Sequence, residues 1–137
     1  MKYYLIDTHA HLDFPELHNR LDEVLKTARE NNVKRVVTIS TNLNKIKKII
    51  EISKNHKEVF HTVGVHPNEV LKDKNFSNYN MILNLSKNKK CVGIGECGLD
   101  YHYGNYSKED QKKSCSTQIR VARTTNLPLI IHARDAD

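Results

Sequence analysis

Short apolar runs rich in valine and isoleucine alternate with segments of helical period from one end of this 137-residue chain to the other, which restricts the fold class to α/β with a parallel sheet. Strands are expected near residues 3–6, 35–39, 59–65, 91–95 and 127–131. Between the first two, Leu21, Val24, Leu25 and Ala28 fall on one face of a helix. Leu43, Ile46, Ile49 and Ile50 mark a second helix, and Tyr79, Ile82, Leu83 and Ser86 a short third. Ser107, with Asp110 three residues later, reads as a capping pair that opens a fourth. Strand three ends at His66-Pro67, where proline stops ladder pairing, and Pro128 sits near the edge of strand five. Gly93 and Gly95 remove side chains where another backbone or a ligand comes close, and a long aromatic loop is expected over residues 98–106.

The length suits one domain, and 38% hydrophobic with 28% charged residues excludes a disordered chain. No run approaches membrane-spanning length, and MKYYLI lacks the apolar core of a secretory signal, so a cytoplasmic protein is expected. Cys91, Cys97 and Cys115 are odd in number and show no C-x-x-C spacing, which points to reduced, buried thiols. Thiolate ligation by Cys97 is disfavoured beside Glu96, because strand neighbours face opposite ways. A net charge of +6 favours a polyanion partner. However, the sixteen lysines are scattered among fourteen asparagines, as in a compositional bias with solvated surfaces.

Groups able to bind a metal occur just past the ends of the strand-like runs: His9 and His11 after YYLI, Glu96 after CVGIG, and His132 after LPLII. Two imidazoles one residue apart on an extended segment point to the same side, about 7 Å apart, and can converge on one ion. A carboxylate amid apolar and glycine-rich sequence needs a partner, either a cation or a lysine or arginine. His132 taken alone would better suit a satisfied core histidine. Asp7, on the same side as His9, either ligates a metal or orients an imidazole, or else serves a turn or cap.

The segments DTHAHLD (residues 7–13), GVHP (64–67), GIGECGLDYH (93–102) and LPLIIHARDA (127–136) resemble the motifs of the TatD-type DNases, within the metal-dependent amidohydrolase superfamily. The resemblance implies a (β/α)8 TIM-barrel type of fold, a site for one or two divalent metal cations, and hydrolysis of DNA phosphodiesters by metal-activated water. Carried over by residue, His9 and His11 would bind one metal, Glu96 would bridge both, and His132 would bind the second. His66 and Arg134 would hold substrate phosphate.

A closed barrel needs eight units in about 250 residues, whereas five appear here. Residues 1–137 are therefore expected to form the N-terminal part of one barrel domain, truncated to about five β/α units. The family pattern adds a histidine after strand six and an aspartate after strand eight, the latter the usual proton acceptor, and neither position exists in this sequence. Two divalent ions about 4 Å apart repel by roughly 17 kcal/mol at an effective dielectric of about 20. With Glu96 the main negative ligand, one tightly held metal at His9, His11 and Glu96 is expected. Open sheet edges predict self-association or a complementing C-terminal chain. The competing expectations are an inert fragment with partial metal binding, or ester or amide hydrolysis on the same scaffold.

Overall fold

The computed structural model describes residues 3–103 and 107–136. Five strands, β1 (Leu5–Ala10), β2 (Val33–Thr38), β3 (Val59–Val63), β4 (Cys91–Asp100) and β5 (Leu129–Arg134), pair in chain order, and every pair is parallel. Helices α1 (Pro15–His18), α2 (Leu21–Glu30), α3 (Ile46–Asn55), α4 (Tyr79–Ser86) and α5 (Lys108–Thr125) fill the crossovers, with 3-10 turns at Leu43–Lys45 and Pro67–Glu69.

The larger core sets Ile46 and Ile49 of α3, Ile82 of α4 and Val121 of α5 against Val63 and Ile94 of the sheet. A smaller one gathers Leu25 of α2 with Leu12, Val36, Ile52 and Val59. Full burial of each such side chain contributes about 1.5–3 kcal/mol. Ser107 caps α5 as its spacing predicts, its Oγ accepting from the Asp110 N–H at 3.1 Å. Left-handed Asn126 (φ 56°) ends that helix.

All five strands differ from the sequence expectation in their bounds: β2 starts two residues earlier and ends one earlier, β3 stops at Val63, and the other three shift further. β1 continues through DTHA, because ladder bonds to Val36 and Thr38 need backbone and not apolar side chains. β4 continues to Asp100, so residues 98–100 are strand and not loop; residues 104–106 of the expected loop lie outside the described residues. β5 starts after Pro128 and carries His132 within it. Glycine makes the β4–β5 contact possible: Gly98 has φ 143°, and a Cβ there would stand 1.9 Å from the His132 carbonyl oxygen.

The β4–β5 register slips between Ile94 and Cys97, and the Glu96 N–H turns instead to the Ser40 carbonyl at 2.9 Å. Such a slip re-aims a side chain. Two buried glutamines of α5 then fix the strand ends. Gln118 receives the Val65 N–H at 3.1 Å and donates to its carbonyl at 3.0 Å. Gln111 does the same for Asp100, both at 2.9 Å. The outer strands stay open, with Leu5 61%, Ile6 50% and Ile131 67% exposed.

Candidate metal centre

His9, His11, His66, Glu96 and His132 converge at the C-terminal end of the sheet, lining one open cleft of about 340 Å³ with Phe14, Thr41 and Glu69. The strand extensions carry them there: His9 lies in β1, Glu96 in β4 and His132 in β5, whereas His66 follows β3. Buried Glu96 is central. Its Oε2 lies 3.5 Å from His9 Nε2 and its Oε1 3.5 Å from His132 Nδ1. Charge-assisted hydrogen bonds are shorter, about 2.7–2.9 Å, so these gaps suit donor atoms arranged around a cation. Two triplets, His9–His11–Glu96 and His66–Glu96–His132, each hold their donor atoms within 4.8 Å of one another. Imidazole with carboxylate is a donor set that fits a divalent metal.

Hydrogen bonds on the far side of each ring decide what it can offer. His11 Nδ1 faces the Ile39 carbonyl at 3.3 Å. A carbonyl only accepts, so the proton sits on Nδ1 and Nε2 keeps a lone pair. His66 is the reverse: its Nδ1 accepts the Asn68 backbone N–H at 3.1 Å, so its proton sits on Nε2. Burial holds the His66 pKa below the usual value, against the pull of the Glu96 carboxylate, and keeps that neutral form. A nitrogen that bears a proton is not a ligand. Although His66 belongs to a metal-competent triplet by distance, its bonding suits a hydrogen-bond donor to substrate.

His132 Nε2 meets Asp100 Oδ2 at 2.9 Å, and the Asn68 side-chain amide reaches the same oxygen at 2.9 Å. Burial raises the Asp100 pKa, but hydrogen bonds from the His102 N–H, Asn68 and His132 outweigh it and leave the carboxylate below its ordinary value. At the rim, burial raises the Glu69 pKa, yet hydrogen bonds from Lys72 and Asn42 bring it below the ordinary value.

Three other candidate residues have contacts of their own. Arg134 is not among the cleft-lining residues; its Nη1 donates to the Tyr103 hydroxyl at 3.1 Å and its guanidinium lies over that ring. Asp7, within β1, accepts the His9 backbone N–H on Oδ1 at 3.0 Å. Cys97 is fully buried, and a hydrogen bond with Cys115, together with burial, pushes its thiol pKa up, against thiolate ligation. Asp100, Asn68, Gln111 and Phe14, which stacks on His11 at 4.7 Å, were not expected from the sequence. Even spacing from Glu96 is the signal that could have found Asp100, since strand residues four apart share a face.

Residues 6–137 match the family described as TatD related DNase, and the chain belongs to that family. It is 36% identical over 132 residues to an uncharacterized metal-dependent hydrolase, YabD, of Bacillus subtilis, covering 96% of this chain and 51% of that protein. It is 26% identical to the 3'-5' ssDNA/RNA exonuclease TatD of Escherichia coli, with 96% and 50% coverage. Its structure is similar to that of YJJV, a TatD homolog from E. coli, with TM-score 0.87 and 26% identity over 96% of this chain and 51% of that one. A TatD family hydrolase from Entamoeba histolytica gives TM-score 0.86 and 28% identity, with 99% and 52% coverage. The chain thus spans about half the length of these relatives, and its five parallel strands form a half-barrel of their TIM-barrel fold.

Proposed function

We propose that this chain supplies metal-binding and substrate-binding side chains for phosphodiester hydrolysis of nucleic acid, DNA in the first instance. The observation that carries the reading is the placement of Glu96, whose two oxygens each face a different histidine at 3.5 Å. His9 and His11 through Nε2, with one Glu96 oxygen, offer three donors on one side; the other oxygen and His132 Nδ1 offer two on the other. The three-donor side should hold one divalent cation more tightly. A cation held there would polarise a phosphoryl oxygen and lower the pKa of water. His66 presents Nε2–H to a phosphate oxygen, and Arg134 at the end of β5 is a second, more distant phosphate contact. A relative named as an ssDNA/RNA exonuclease supports a nucleic-acid substrate, and reduced cysteines suit a cytoplasmic setting. No helix among the described residues is long and apolar enough to cross a membrane.

A second reading, metal binding without turnover by this polypeptide alone, is favoured by a specific observation. Among the described residues, the carboxylates lining the cleft are Glu69 and Glu96, and Glu69 is tied to Asn42 and Lys72 at 2.9 and 2.8 Å. Glu96 in turn faces both His9 and His132, so each carboxylate is engaged by other side chains. The exposed strands β1 and β5 suit self-association or a complementing chain that could bring a proton acceptor. Divalent-metal-dependent release of nucleotides from single-stranded DNA, lost in His9→Ala, is expected on the first reading. Zinc binding without nucleotide release supports the second, and turnover of a small ester without DNA cleavage would replace both.

A further inference from the structure

We infer that Asp100 is a positioning residue that directs the His132 lone pair into the cleft; this rests on the metal-ligand role proposed above for His132. Two carboxylates compete for this imidazole. Asp100 Oδ2 approaches Nε2 at 2.9 Å, and Glu96 Oε1 faces Nδ1 at 3.5 Å. In a neutral ring only one nitrogen carries a proton. The shorter contact assigns that proton to Nε2, where Asp100 Oδ2 accepts it, so Nδ1 is left with its lone pair beside Glu96. Were Asp100 absent, the proton would move to Nδ1 and bond Glu96, and both donors of this side would be spent on each other.

The carboxylate is built to win that competition. It is 1% exposed, and each oxygen already receives a donor besides His132. Asn68 Nδ2 reaches Oδ2 at 2.9 Å, and the His102 N–H reaches Oδ1 at 3.1 Å. Gln111, fully buried on α5, clamps the Asp100 backbone through both its N–H and its carbonyl, at 2.9 Å each. With donors already aimed at both of its oxygens, the carboxylate is placed as an acceptor towards His132. Asn68 also links the two cleft histidines, since its backbone N–H donates to His66 Nδ1 and so fixes the proton of that ring on Nε2. Outer partners of this kind typically alter metal affinity by about 10–100-fold.

The ¹⁵N shifts of His132 in metal-free protein, at alkaline pH where the ring is neutral, read the proton's position directly, and a zinc titration followed through the same resonances reads the affinity of this side. The wild type is expected in the Nε2–H form. Asp100→Asn should move population to Nδ1–H and weaken zinc binding at His132 by about 10–100-fold, with Asp100→Glu restoring part of both. Asn68→Ala, which removes one donor to Asp100 without touching His132, should give a smaller change in the same direction and serves if Asp100→Asn does not fold. Unchanged shifts and affinity in Asp100→Asn, or a wild-type ring in the Nδ1–H form, overturn the inference. A wild type in the Nε2–H form whose His132 resonances ignore zinc supports orientation by Asp100 and overturns the metal reading instead.

Discussion

His9 and His132 flank the same carboxylate at the same distance, yet they are held in different ways. His9 comes from a strand whose residues are almost all exposed, and 44% of its side chain is open to solvent. His132 is 24% exposed, and behind it stand Asp100, Asn68 and the α5 glutamine that clamps the β4 backbone. Both strands are edges of the sheet, so edge position does not explain the difference. What separates them is the layer behind: β5 lies against a β4 that α5 holds at both strand-end groups, whereas β1 has only β2 beside it. The two sides thus divide what a metal site needs. The β1 side has more donors, and the β5 side has better-fixed ones.

The comparison breaks most completely at Gly98. Gly98→Ala places a Cβ into the His132 carbonyl at a backbone angle that only glycine adopts readily. A loss of at least about 4 kcal/mol in chemical denaturation is expected, with the β5 side disordered before the β1 side. Next is a perturbation that should spare the contrast altogether. His61, on the central strand β3, is fully buried, and burial followed by the nearby Lys90 charge lowers its pKa to about 4 from 6.5. Because the unfolded chain binds this proton more readily, its contribution is fully present above pH 6.5 and is lost as pH falls towards about 4. The drop amounts to about 3 kcal/mol. Denaturation midpoints between these limits should flatten in His61→Asn, while the ratio of zinc affinities on the two sides stays constant.

A zinc titration sharpens the contrast directly. His9→Ala should weaken the first equivalent by more than about 10-fold, whereas His132→Ala should change it by less than about 3-fold, because three donors outweigh two despite their looser support. Equal effects would mean that the two sides act as one site. The smallest expected effect concerns the edges. Sedimentation should show self-association of the wild type, and Ile131→Lys should reduce it, since a charge on an exposed strand opposes pairing with another chain. A wild type that sediments as a monomer would remove the edges from the argument.

Five strands, their order of appearance and the face of α2 were legible because apolar periodicity records which backbone segments are buried. The convergence of His9, His11, His66, Glu96 and His132 was legible because each follows such a run. Strand ends were not, because DTHA and CGLD pair through backbone groups that carry no apolar signature, and this is where the chain places its chemistry. Asp100 was passed over as part of a loop for the same reason. Gln111 and Gln118 were invisible for another: on a helix rich in lysine and threonine they resemble a solvated face, and only the tertiary fold turns them inward. Arg134 shares strand parity with His132, and its contact with Tyr103 is one that no local pattern announces.

Gln111 and Gln118 lie seven residues apart, close to two helical turns; Gln111 grips the end of β4 and Gln118 the backbone just past β3. α5 therefore acts as a fixed-length spacer between the backbone that carries Asp100 and the backbone that leads to His66. One residue added or removed between them would swing one amide away by about 100°, so evolution can vary this helix in composition but not in length along that interval. Changes before Ser107 or beyond Asn126 carry no such penalty.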